Sequence, residues 1–262
     1  MSFDLSIFSK RLAEVSERMA QAAKRAGRDP REIRLMAVTK TFPWTYVETA
    51  IQAGLTLFGE NRIQEAQSKY PSALPGPEVE LHLIGHLQRN KARIAASLFR
   101  CVQSIDKVQT AEALERHCAQ LERSMDILLE LNTSGEASKF GYAEPAQLWR
   151  DCETIAGFPH LHIRGVMTVG PFTHDRDRMR RAFADLRACG SDLNNRYPEL
   201  GATILSMGMS GDFEIAVEEG ANLIRLGTIL FGARSGGTYS SPGEGRPAGS
   251  EHGSNEGNSD GA

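Results

Sequence analysis

The sequence predicts an α/β protein: a single TIM-like (β/α)8 barrel domain over residues 1–234, with an extra N-terminal helix before its first strand. Three observations lead there. Apolar, strand-like runs alternate with helical patterns; about eight such runs keep one cadence; and no GxGxxG follows the first of them. Strands separated by helices imply right-handed crossovers and a parallel sheet. A count near eight favours closure into a barrel, and the missing glycine fingerprint weakens a dinucleotide-binding sheet. The competing arrangement is an open flavodoxin-like sheet with a small second domain.

In chain order, the segment from about Leu5 to Gly27 reads as an amphipathic helix, its "RLAEVSERMAQAAKRAGRDPRE" interleaving both charge signs as on a solvated face. Strands follow at "IRLMAVTK", "LTLFGEN", "VELHLIG", "RCVQSID", "MDILLELN", "LHIRGVMTV", "ATILSMGM" and "NLIRLGTILFG". Helical patterns separate them, from "WTYVETAIQAG" through "RIQEAQSKYPSA", "QRNKARIAASLF", "VQTAEALERHCAQLE", "PAQLWRDCETIAG" and "RDRMRRAFADLRACGSDLNNRY" to "GDFEIAVEEGA". From Ser235 to Ala262 the chain turns to Gly, Ser, Pro and acidic residues with almost no aliphatics, which predicts a disordered tail over 235–262.

The net charge of −3 gives no reason to expect a nucleic-acid or acidic-membrane partner. Cys101, Cys118, Cys152 and Cys189 are scattered without metal-ligand spacing, as structural thiols of a reducing compartment are. The N-terminus lacks a signal-peptide pattern, and no apolar run reaches membrane-spanning length. The expectation is a cytoplasmic protein.

Barrel chemistry collects at the C-terminal ends of the strands. Those ends carry Lys40, Asn61, the Ile84-Gly85-His86 turn, Ser104 and Asp106, Asn132, Met167 and Thr168, Ser206 to Ser210, and Arg225 to Thr228. Alternation puts Met36, Val38 and Lys40 on one face. If that face is the interior, desolvation lowers the lysine pKa and makes the amine nucleophilic toward an aldehyde. Taken alone, a strand-end lysine reaching solvent is the simpler account. "LSMGMSGDFEIAVEEGA" places Ser210 and Gly211 at a helix start, where they either help begin the helix, with Asp212 as its cap, or form an anion seat. In "RLGTILFG", Gly227 allows close backbone approach and Thr228 adds a hydroxyl, at the strands where barrels most often hold phosphate. A phosphate at one rim and an amine at the first strand describe pyridoxal 5′-phosphate bound as a Schiff base. Arg225, on the same strand face as Gly227, is either a salt-bridged strand-end arginine or a guanidinium facing the ring nitrogen. In the second role it would leave that nitrogen unprotonated and weaken the ring as an electron sink.

The motifs "MAVTKTFP", "FGENRIQEAQSKY", "LHLIGHLQRNKAR", "SIDKVQTAEAL", "LELNTSGEASKFGY", "IRGVMTVGPF" and "LSMGMSGDFEIAVEEGANLIRLGTILFGAR" resemble, in order and up to Arg234, those of the pyridoxal phosphate homeostasis proteins, the YggS-type family. The resemblance implies the fold type III barrel of the alanine racemase N-terminal domain, with Lys40 carrying the cofactor. Ser210, Gly227 and Thr228, with Ser206 nearby, would hold the phosphate, and Arg225 would face the ring nitrogen. Asn61, His82 and Met167 match positions lining the family's pocket, although a hydrogen-bonded core histidine explains His82 equally well. Ser138 and Lys139 match a family loop motif, where a solvated loop lysine is the plain alternative. "TKTFP" departs from the common "SKTKP", and Phe42 should alter only the rim.

What the resemblance implies for function is control of the cellular supply of this cofactor, without established catalytic turnover. No metal is implied. Racemases of this fold add a β-rich domain and take a tyrosine from the partner subunit. Here only the polar tail follows the barrel, so the expectation is a monomeric carrier serving apo-enzymes that use the cofactor. The alternatives are a racemase-like enzyme of amino acids using the same Schiff base, or a sugar-phosphate barrel enzyme that uses Lys40 without a cofactor.

Overall fold

The computed structural model describes residues 3–71, 74–76 and 78–233. Arg234, where the barrel was expected to end, and the expected tail over 235–262 lie outside the described residues. Helix α1 (Leu5–Arg25) comes first. Asp4 caps it by accepting from Ser6 N at 2.8 Å, and Phe8, Val15 and Ala22 recur along one buried face.

Eight strands follow: β1 (Arg34–Val38), β2 (Leu57–Glu60), β3 (Glu80–Leu83), β4 (Cys101–Ile105), β5 (Met125–Leu131), β6 (Leu161–Thr168), β7 (Ile204–Ser206) and β8 (Leu223–Leu226). Each pairs in parallel with the next, and β8 returns to β1 with Met36 opposite Arg225, so the sheet is a closed barrel. Between them run α2 (Trp44–Gln52), α3 (Ile63–Lys69), α4 (Ala92–Leu98), α5 (Val108–Gln120), α6 (Pro145–Ala156), α7 (Arg176–Arg196) and α8 (Phe213–Glu218). After β8 the chain does not continue as a strand through "TILFG". Thr228–Phe231 turns into a short helix, α9, because Leu230 N and Phe231 N bond back to Gly227 O.

The outward faces of the strands and the inner faces of the helices make one large apolar core, to which Ala37, Phe58, Leu81, Val102, Ile127 and Val166 contribute. Inside the barrel, Met36, Leu57 and Leu223 form one small cluster, and Cys101, Leu128 and Met167 another. Helix α8 is clamped from two sides: Arg18 and Arg25 of α1 reach Glu214 and Glu218, while Arg180 and Arg187 of α7 reach Glu218 and Glu219. Among the described residues, no helix is long and apolar enough to cross a membrane, and no His, Cys, Asp and Glu cluster is suited to hold a metal.

Candidate functional site

Strand β1 stops at Val38, so Lys40 lies two residues past it, in a turn closed by Phe42 N bonding Thr39 O at 3.1 Å. The alternation of Met36, Val38 and Lys40 survives this early end. Met36 is fully buried inside the barrel, while Val38 and Lys40 line a cavity at its C-terminal mouth. The turn puts Thr41, a β-branched residue, at φ +68°, a conformation that persists only where its surroundings enforce it. Those surroundings come from β2 and α3. Thr41 N donates to the Glu65 carboxylate, and Lys69 Nζ donates to Thr39 O and Glu60 Oε1, both at 2.7 Å, and to Glu65 Oε1 at 3.0 Å. Thr39 Oγ1 completes the brace by donating to Glu60 Oε1 at 2.6 Å. Burial pushes the Glu60 pKa up, and the Lys69 charge opposes that.

On the neighbouring strand β8 stands Arg225, only 4% exposed, donating from Nη1 to Ser206 Oγ and from Nη2 to Thr168 O, both at 2.7 Å. Burial lowers its pKa to about 10 while Asp212 and Glu130 oppose the shift, so it stays charged at neutral pH. Ser210 and Gly211 follow β7, and Ser210 Oγ accepts from Ile229 N at 3.4 Å, joining that loop to the start of α9. Asp212 takes the N-cap position of α8 as expected, but its carboxylate accepts from Met209 N at 2.6 Å instead of from the helix's own N–H groups. A Cβ on Gly227 would stand 3.2 Å from Val38 O, so a bare glycine is what lets the β8 end lie against β1.

The cavity holds about 330 Å³, at the small end of the ~300–1,000 Å³ usual for small-molecule sites. Of the nine cofactor-binding residues expected from the sequence, it brings together Lys40, Asn61, Ser210, Arg225, Gly227 and Thr228. Three others lie off it. Ser206 is buried beneath, bonded to Arg225, and Met167 packs with Cys101 and Leu128 inside the barrel. His82 does face inward, but at mid-depth, lining a separate cavity of about 150 Å³ with Arg34 and Asn222. Lys139 donates to Gly170 O at 2.6 Å, and Ser138 is exposed beside it.

The cavity also has an apolar wall of Val38, Phe42, Ile84, Val169 and Met209; the sequence placed Val38, Ile84 and Met209 at this end of the barrel without giving them a role, and did not mark Val169. Phe42 is not a rim residue as expected: it is 9% exposed, lines the cavity, and packs on Tyr46 and Phe231 with ring centroids 5.0 and 5.1 Å away. Its place in the turn, pointing back toward α2 and α9, explains the difference.

A closed barrel with a half-buried lysine just past its first strand and hydroxyl-bearing loops after its last two defines a class of small-ligand-binding barrels. The family model of the alanine racemase N-terminal domain matches residues 11–235. The pyridoxal phosphate homeostasis protein of Pseudomonas aeruginosa is 41% identical over 90% of this chain and 100% of its own, and that of Escherichia coli K12 is 36% identical over 85% and 95%. The chain belongs to the pyridoxal phosphate homeostasis protein family. Among solved structures, PipY of Synechococcus elongatus with PLP bound superposes with a TM-score of 0.75 at 35% identity, covering 86% of this chain and all of that one. Alanine racemase of Bacillus anthracis, at 15% identity and TM-score 0.63, shares the fold, and this chain spans 58% of it.

Proposed function

We propose that the protein binds pyridoxal 5′-phosphate at the C-terminal mouth of its barrel and serves the homeostasis of that cofactor, holding it rather than turning over amino acids with it. The observation that carries this is the convergence of one amine, two hydroxyls and one buried guanidinium on a single cavity. The donor set fits the group. Ser210 and Thr228 offer hydroxyls to a phosphate, Gly227 and Gly211 keep side chains out of its way, and Lys40 lines the same cavity from the end of the adjoining strand β1. Pyridoxal phosphate, when bound, supplies an aldehyde that condenses reversibly with an amine. Lys40 is the amine within reach, and the braced turn that carries it fixes where it points.

Arg225 supports a holding role. A guanidinium donates hydrogen bonds without surrendering a proton, so opposite a ring nitrogen it leaves that atom unprotonated and limits the electron pair the ring can store. The reading extends to one barrel domain ending near residue 234, acting as a cytoplasmic monomer that supplies apo-enzymes.

Visible absorption tests it. The protein mixed with pyridoxal phosphate should show a band above that of the free cofactor, stable to gel filtration and absent from Lys40→Ala. Wild-type protein that takes up no cofactor overturns the reading.

A further inference from the structure

Barrel interiors of this kind are ordinarily filled by branched aliphatic side chains. Between the two aliphatic clusters of this one runs an unbroken line of polar groups. Arg225 Nη1 donates to Ser206 Oγ at 2.7 Å, and Ser206 Oγ donates to Gln103 Oε1 at 2.6 Å. Gln103 Nε2 then lies 2.9 Å from His82 Nδ1, and His82 Nε2 lies 3.1 Å from Glu80 Oε2. At the N-terminal end of the barrel, Arg34 Nη2 donates to Glu80 Oε1 at 3.0 Å. Arg225, Ser206, Gln103 and His82 are all buried.

The sense of every bond follows from the first. A guanidinium only donates, so Ser206 Oγ accepts from Arg225 and sends its own proton to Gln103 Oε1. That acceptance turns the Gln103 amide so that its NH₂ faces His82. Nδ1 must then carry a lone pair, and the proton of the neutral ring sits on Nε2, aimed at Glu80. Burial lowers the His82 pKa, which keeps the ring neutral. The His82 hydrogen bond is the main cause holding Glu80 at about 2, so the carboxylate is an acceptor throughout the neutral range. Aliphatic residues would fill this volume without needing matched partners. Volume therefore does not explain why donor meets acceptor at each step.

We propose that Gln103 and His82 are positioning residues for Arg225, carrying to it from the Glu80–Arg34 pair the fixed orientation in which its guanidinium faces the cofactor ring. The proposal rests on the reading of the mouth as a pyridoxal phosphate site. Neither residue lines that cavity, so both act through Ser206 and Arg225.

Two substitutions at His82 separate this role from packing. His82→Asn keeps an acceptor near the Nδ1 position but underfills the site, whereas His82→Phe fills it and offers no acceptor. The relay predicts cofactor affinity within about twofold of wild type for His82→Asn, with an unaltered visible band across a pH titration. His82→Phe and Gln103→Leu should each bind about tenfold more weakly and show a shifted band or band pKa. The reverse order at His82, with Phe resembling wild type and Asn impaired, overturns the proposal. A second measurement needs no cofactor: imidazole ¹⁵N NMR of the ligand-free protein should find His82 protonated at Nε2 alone, gaining a second proton at Nδ1 in Gln103→Glu, where a carboxylate faces each nitrogen. An Nδ1–H tautomer in wild type overturns the relay. The expected tautomer in a wild type that takes up no pyridoxal phosphate upholds the relay and overturns the cofactor reading instead.

Discussion

Two glutamates are buried at the top of the barrel, Glu60 at the end of β2 and Glu130 near the end of β5; burial raises the pKa of both, and they differ in whether a cation is buried with them. Glu60 is fully buried with a cation: Lys69 Nζ sits 2.7 Å from it, and Thr39 donates to the same oxygen. Both glutamates leave a buried Oε2 without a hydrogen-bond partner, but among the described residues Glu130 has no ion-pair partner either. Burial, with Asp106 adding to it and Arg225 opposing, raises the Glu130 pKa to about 7. A buried carboxylate braces a neighbouring turn only when a cation is buried with it. Without one, it settles its charge by taking up a proton.

The largest test removes that cation. Lys69→Met leaves Glu60 buried and uncompensated, and should cost about 3–5 kcal/mol in urea unfolding. Adding Glu60→Gln should recover most of the loss, and a double variant as unstable as the single one breaks the contrast.

Glu130 gives a smaller effect with a definite sign. Its folded pKa lies above the ordinary carboxylate value of 4.5, so the native state binds more protons than the unfolded chain between 4.5 and about 7. The stabilisation is complete below 4.5 and lost as pH rises through about 7. Wild type should lose about 2 kcal/mol between pH 5 and 8, and Glu130→Gln should remove that dependence. An identical pH slope in both proteins sinks the assignment.

The smallest effect sharpens what the Glu60 brace supports. Relief of strain at Thr41, about 1 kcal/mol, should nearly cancel the added chain entropy of a glycine. Thr41→Gly should then shift stability by less than about 0.5 kcal/mol, and a loss above about 2 kcal/mol would show that the side chain itself does the bracing.

Much of this was legible in the residues. Alternating strand and helix patterns gave the barrel, and polar residues at strand ends gave six of the groups that meet at the mouth. What stayed hidden is depth. Period-two alternation says which face a residue takes, but strand tilt and register decide how far down the barrel it sits. His82, Met167 and Ser206 therefore face inward yet lie below the cavity. Lys69 stayed hidden for another reason. Its spacing from Glu65 marks an ordinary helix-surface pair, and only the packing of α3 against β2 turns both toward the Lys40 turn. The helix at Thr228 was missed because "TILFG" has strand composition, which the backbone bonds to Gly227 override.

The arginines that clamp α8 are 41–53% exposed, so dissolved ions reach them. At about 1 M salt the screening length shrinks to about 3 Å, and the clamp weakens on both sides of a helix that starts just after Ser210 and Gly211. Counterions thus act on this mouth twice, by competing for an anionic guest and by loosening the wall that receives it. Affinity for such a guest should fall with ionic strength more steeply than its own charge accounts for, while the heat stability of the aliphatic core scarcely moves.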